Sequence, residues 1–147
     1  MNHQNSFSKP EHLCGEKLIT LLFTQGEAFI AYPLRVVYLI EPKKDNSTAS
    51  VMVSVPKKRF KRAVKRNRLK RLMREAYRLN KQEILEKLNE KELQIHVAFN
   101  YVSDEIMDFA QIEKKMKVAL QKLIEKIWIF ATKELNLIPY FPEILPK

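Results

Sequence analysis

Hydrophobic and polar positions along this chain alternate with two different periods. From Cys14 to Thr24 the run Glu16-Lys-Leu-Ile-Thr-Leu-Leu-Phe23 is apolar on more than one side and stops at Gln25-Gly26, which predicts a short, mostly buried helix. Leu34 to Ile40 is β-branched and aromatic, and it closes at Pro42 and the polar stretch Lys43 to Thr48. Ala49 to Val55 sets Val51, Val53 and Val55 against Met52 and Ser54, until Pro56 removes a ladder donor. These two runs and their polar connector predict an antiparallel hairpin. A third strand is predicted over Leu93 to Phe99, where Leu93, Ile95, Val97 and Phe99 alternate with Gln94, His96 and Ala98.

Between the second and third strands the period changes to that of a helix. With Leu69 at zero, Leu72, Met73 and Ala76 fall within about 60° of it, while Asn67, Lys70, Arg71, Arg74 and Arg78 occupy the far side. The pattern continues through Tyr77, Ile84 and Leu88, with a break placed near Asn80. Ser103-Asp104-Glu105 carries the signature of an N-cap with an acidic first turn. The long helix it opens repeats apolar residues from Phe109 to Ala131, and Trp128 and Phe130 are read as core within it. The order helix, strand, strand, basic helix, strand, helix describes a small α+β domain with a sheet packed against helices. Residues 1–13 read as a polar arm, 14–132 as one domain, and 133–147 as a tail holding Pro139, Pro142 and Pro146.

Charge changes the picture more than composition does. The 147 residues carry 27 Lys and Arg against 17 Asp and Glu, a formal net charge of +10. Eleven of those cations lie between Lys57 and Arg74 with no acid among them, leaving 16 basic and 17 acidic residues elsewhere. A nearly neutral domain therefore bears one cationic segment. Like charges at three- and four-residue spacing destabilise a solvated helix by about 0.2–0.5 kcal/mol per pair, and cations near its N-terminus oppose the macrodipole. A helix selected for solubility interleaves glutamates, as Glu83, Glu86 and Glu90 do further on. The uninterrupted segment points to a polyanionic partner.

The remaining chemistry is sparse. One cysteine, Cys14, excludes an internal disulfide and a Cys-based zinc site, and it is read as inert in a reducing, cytoplasmic setting. Two glycines are too few for a phosphate-cradling loop, so any grip on phosphate comes from side chains. No run reaches the length of a membrane span. His96 is read as a half-exposed strand residue without metal partners, and Asp104, Glu105 and Asp108 as capping groups. No nucleophile and base are paired in spacing. Among polyanions, a membrane would want a larger apolar stripe, and a DNA-binding helix-turn-helix would want more helices; a sheet-plus-helix platform suits RNA. No obligate protein partner is evident.

The segment from Ser54 to Tyr77 resembles the bacterial ribonuclease P protein component family. Arg66-Asn-Arg-Leu-Lys-Arg71 matches the family's Arg-Asn-Arg core followed by a hydrophobic residue and Lys-Arg. Ser54, Lys57 and Lys58 match its upstream Ser-x-x-Lys-Lys, Arg74 a downstream arginine, and Phe23-Thr-Gln-Gly26 its Phe-x-x-Gly. The likeness extends over about Phe7 to Phe130. It implies an α+β fold built as a small α/β sandwich in the order α-β-β-(β)-α-β-α, with a left-handed βαβ crossover through the motif helix. It also implies a ribonucleoprotein endonuclease, in which a catalytic RNA with Mg²⁺ removes the 5′ leader of precursor tRNA and the protein carries no catalytic side chain. Arg66, Asn67, Arg68, Lys70, Arg71 and Arg74 are then expected on the catalytic RNA, supported by Lys57, Lys58, Lys61, Arg62 and Lys65. Phe23 and Ser54 are expected in a cleft for the leader, with Tyr38 added to compensate for Ile19, which stands where the family often has a second aromatic. The alternative is a structural RNA-binding protein, ribosomal or other, with no processing role.

Overall fold

The computed structural model describes residues 15–44 and 48–134; Cys14, the arm of residues 1–13 and the tail from residue 135 lie outside them. Helix α1 spans Glu16–Gln25, and strands β1, β2 and β3 span Glu27–Ala31, Leu34–Pro42 and Ala49–Ser54. Helices α2 (Ala63–Asn80) and α3 (Gln82–Lys91) follow, then strand β4 (Leu93–Tyr101) and helix α4 (Phe109–Glu134). Lys133 and Glu134, expected in the tail, thus still belong to α4.

The four strands form one sheet in the order β1-β2-β4-β3. β2 is antiparallel to both β1 and β4, whereas β3 runs parallel to β4. The hairpin expected from the second and third runs is therefore corrected. β2 pairs with β1, a five-residue strand not read from the sequence, and β4 inserts between β2 and β3. β4 is buried on both faces almost throughout, which suits a central strand. The connection from β3 to β4 through α2 and α3 is a crossover between parallel neighbours, as the family resemblance implies for the motif helix.

Strand parity divides the core into two layers. Val36, Tyr38 and Ile40 of β2, Ile95, Val97 and Phe99 of β4, and Val51 and Val53 of β3 face the main cluster, together with Leu69, Met73 and Ala76 of α2 and Met116, Leu123 and Ile127 of α4. On the opposite face Leu22 of α1 packs on Val37 and Ala98, flanked by Ile19, Leu39 and Met52. Gly26 ends α1 because the space is taken: a Cβ there would lie 2.3 Å from the carbonyl oxygen of Leu22 and 2.8 Å from that of Tyr38.

Three further expectations are corrected. The last helix begins at Phe109, not at Ser103: Asp108 Oδ1 accepts from the Gln111 amide at 2.9 Å, and Gln111 Oε1 accepts from the Asp108 amide at 3.1 Å, a reciprocal cap. His96 is buried, with its Nε2 at 3.0 Å from Glu41 Oε1. Trp128 is 60% exposed, with Lys91 Nζ 4.6 Å from its ring centroid, since it falls one residue off the α4 core stripe at Ile127. Phe130 packs partly buried against the core.

Candidate nucleic-acid interface

The basic segment folds as a loop followed by a helix face. Leu69, Met73, Ala76 and Tyr77 are buried on the core side of α2. Asn67, Arg68, Arg71 and Arg74 consequently point outward and are exposed, with Lys70 half-buried beside them. Lys57, Lys58, Lys61, Arg62 and Lys65 are exposed on the loop and first turn. The helix has no side-chain N-cap and no acid in its first turn, so tertiary packing, rather than local compensation, maintains its cationic start. The first acid after the segment, Glu75, binds Arg78 at 2.5 and 3.0 Å. That hydrogen bond, with the charge of Arg78, holds the Glu75 carboxyl below the usual range against a smaller push from burial.

Two arginines of the segment turn inward to their own chain. Arg66 Nη1 donates to the carbonyl oxygens of Phe60 and Lys61 at 2.8 and 2.7 Å. Arg59 Nη1 lies 2.9 Å from Asp104 Oδ1, in the loop between β4 and α4. Asp104 is thus an ion-pair partner rather than the expected cap. The loop also turns on itself, because the amides of Arg59 and Phe60 both donate to the Pro56 carbonyl. Phe60 is buried against Tyr101, with ring centroids 6.0 Å apart.

The expected cleft residues divide by face. Ser54 ends β3 on the α1 side of the sheet, and its Oγ donates to Asn100 Oδ1 at 2.6 Å. Asn100 is in register with Arg35, which is exposed. Phe23 shares the sheet-side stripe of α1 with Ile19 and Leu22 and is 45% exposed. Tyr38 lies on the opposite face, 4% exposed, and donates its hydroxyl to Glu27 Oε2 at 2.8 Å. Burial first, then Glu27, pushes that phenol up and keeps it protonated. Tyr38 is therefore a core residue and is corrected out of the cleft: it is in phase with Val36 and Ile40, not with Val37. Neither Asn100 nor Arg35 is reached from the sequence, because the predicted third strand stops at Phe99, two residues short of Tyr101, and cross-strand register is invisible in sequence. Extending the alternation of Gln94, His96 and Ala98 by one step would have placed Asn100.

Among the described residues no three His, Cys, Asp or Glu side chains converge to hold a metal, and no helix is long and apolar enough to cross a membrane.

Fold and charge define a small α+β protein with one cationic face beside a sheet partly covered by a helix. A family model, Ribonuclease P, matches residues 7–124. The ribonuclease P protein component of Porphyromonas gingivalis is 47% identical over 116 residues, covering 79% of this chain and 85% of that protein. The component from Chlorobium phaeobacteroides is 42% identical over 85 residues, 56% of this chain and 58% of that one. The solved structure of the Staphylococcus aureus RNase P protein superimposes with a TM-score of 0.62 at 19% identity, covering 77% of this chain and 94% of that one. The chain belongs to the ribonuclease P protein family: it is the protein component of an endoribonuclease whose chemistry is carried by RNA.

Proposed function

We propose that this protein binds the catalytic RNA of ribonuclease P through the Lys57–Arg62 loop and the outer face of α2. In the same complex the α1 side of the sheet receives the single-stranded 5′ leader of precursor tRNA. The observation that carries the reading is the two-sided α2: Arg68, Arg71 and Arg74 are exposed opposite the buried Leu69, Met73 and Ala76, with no acid from Lys57 to Arg74. Exposed cations in that density release counterions from a phosphate backbone, and their rigid placement on a packed helix sets orientation. The leader reading is supported by the half-exposed Phe23 and by the Ser54–Asn100 pair on the sheet face that α1 partly covers. A single aromatic offers one stacking surface of about 1–3 kcal/mol.

The chemistry of phosphodiester hydrolysis is supplied by Mg²⁺ bound mainly by the RNA subunit. This chain's own side chains bind and orient: the basic face docks on the RNA, and the sheet face holds the leader so that the scissile bond is presented. The work takes place in the cytoplasm, on precursor tRNA. Reconstitution tests it. Added to its cognate RNA at low Mg²⁺, the protein is expected to stimulate leader removal and to tighten binding of precursor over mature tRNA; no stimulation overturns the assignment.

A further inference from the structure

Asp104 stands in an unexpected place. The eighteen residues from Lys57 to Arg74 contain no acid, yet the fold brings one to them from the β4–α4 loop, with Oδ1 at 2.9 Å from Arg59 Nη1. The placement is built, not incidental. Tyr101, packed on Phe60, donates its hydroxyl to the Glu105 carbonyl at 2.5 Å and accepts from the Met107 amide at 3.2 Å. Ser103 Oγ accepts from the Glu105 amide at 3.0 Å. The loop carrying Asp104 is therefore tied down beside the basic loop.

Stability gives little reason for the pair. The Asp104 side chain is 78% exposed, and an exposed ion pair contributes little to folding. The basic loop is already anchored by Phe60 and by the two carbonyl bonds of Arg66. Toward a polyanion, however, the pair has a definite sign. A carboxylate in contact with a guanidinium occupies the place of a phosphate, and its charge repels the next one.

We propose that Asp104 is a specificity-determining residue: by holding Arg59 it withdraws one cation from the phosphate-facing set and so weakens binding to non-cognate RNA. The inference rests on the basic face being the RNA interface. Non-specific affinity counts every accessible cation, whereas a cognate RNA engages cations whose positions already fit it. Removing Asp104 therefore favours the wrong partner more than the right one, which is discrimination by a repulsive element.

The test compares the full-length protein with Asp104→Asn, Arg59→Gln and the double variant. Each is titrated with poly(U) and with the cognate catalytic RNA across a range of KCl concentrations. One additional phosphate contact steepens the slope of log K against log salt by about 0.7–0.9, which is about five- to eightfold in affinity at ~0.1 M. Asp104→Asn is expected to gain that much on poly(U) and less on the cognate RNA, and the double variant to lose the gain. Asp104→Asn binding poly(U) no better than the parent, or gaining equally on both RNAs, overturns the inference alone. A parent protein with no salt-dependent affinity for either RNA removes the interface reading and this inference with it.

Discussion

Arg66 Nη1 donates to the Phe60 carbonyl at 2.8 Å, so the first arginine of Arg66-Asn67-Arg68 closes the loop that precedes it. The same nitrogen reaches the Lys61 carbonyl at 2.7 Å. A lysine keeps the charge, but its side chain ends one bond short of the Nη1 position and its rotating ammonium is not held in plane toward the two carbonyls. Arg66→Lys is expected to loosen residues 57–62 and to weaken RNA binding with the formal charge unchanged. Hydrogen exchange at the Arg59 and Phe60 amides reads the loosening directly, since both are bonded to Pro56. A loss of about 1.4 kcal/mol in local stability lowers their protection about tenfold. Unchanged protection would assign Arg66 to charge alone.

The two faces of α2 separate binding from folding. Arg68→Ala and Arg71→Ala, on the exposed side, are each expected to lower the salt slope of RNA binding by about 0.7–0.9 and to shift stability by less than about 0.5 kcal/mol. Leu69→Ala, on the fully buried side, is expected to cost about 2–5 kcal/mol with the slope unchanged. Leu72, only partly buried, belongs at the low end of that range. Thermal unfolding and salt titration of the same variants distinguish the two behaviours.

Much of this was legible because helical phase is a local property. Leu69, Met73 and Ala76 name the buried side of α2 whatever lies above them, and the charged side follows by exclusion. Strand positions were legible for the same reason, with β2 and β3 each beginning at the predicted residue. Pairing was not. Alternation tells which residues share a face but not which strand lies next, so β4 between β2 and β3 required long-range contacts. β1 is short, and its exposed Ala28 and Ile30 give it little alternating signal. Tyr38 suits a cleft by its chemistry and the core by its parity, and parity decides. Asp104 and Asp108 both carry cap chemistry; only Asp108 has a Gln111 three residues on to return the bond. The Arg59–Asp104 contact joins residues 45 apart and has no sequence signal.

Gly26 is a steric requirement rather than a conformational one. Its φ of −75° suits any residue, but a Cβ would press on two backbone oxygens that cannot swing aside. Gly26→Ala is expected to displace the end of α1 from β2 and to cost about 1–3 kcal/mol. A lowered urea midpoint with an unchanged m-value is the result to look for. Equal stability would mean that the end of α1 is free to shift.

Glu92 offers the opposite case. It caps α3 with φ 56° and ψ 45°, the left-handed region, and its amide returns to the Asn89 carbonyl at 3.2 Å. Relief of the Cβ contact outweighs the added freedom of glycine in the unfolded chain, so Glu92→Gly is expected to gain about 0.5–1 kcal/mol. Chemical denaturation checks it; a loss would show that the Glu92 side chain contributes more than its backbone costs.

The Glu41 cluster sets part of the acid stability. Burial alone pushes the Glu41 carboxyl up, but hydrogen bonds from His96 and Gln94 and the charges of His96 and Lys44 outweigh it, leaving the group below its ordinary value. A carboxyl held low in the native state takes up its proton first in the unfolded chain. Its contribution is therefore complete above the ordinary glutamate value near about 4.3 and is lost as pH falls through the lower native one. His96→Leu removes one bond and one charge while the push from burial remains, so the native value rises. The variant is expected to be less stable than the parent above about pH 5, with a difference that shrinks on further acidification as Glu41 protonates. Urea unfolding of both proteins across this interval measures it. A difference that stays constant with pH would assign the effect of His96 to packing and not to Glu41.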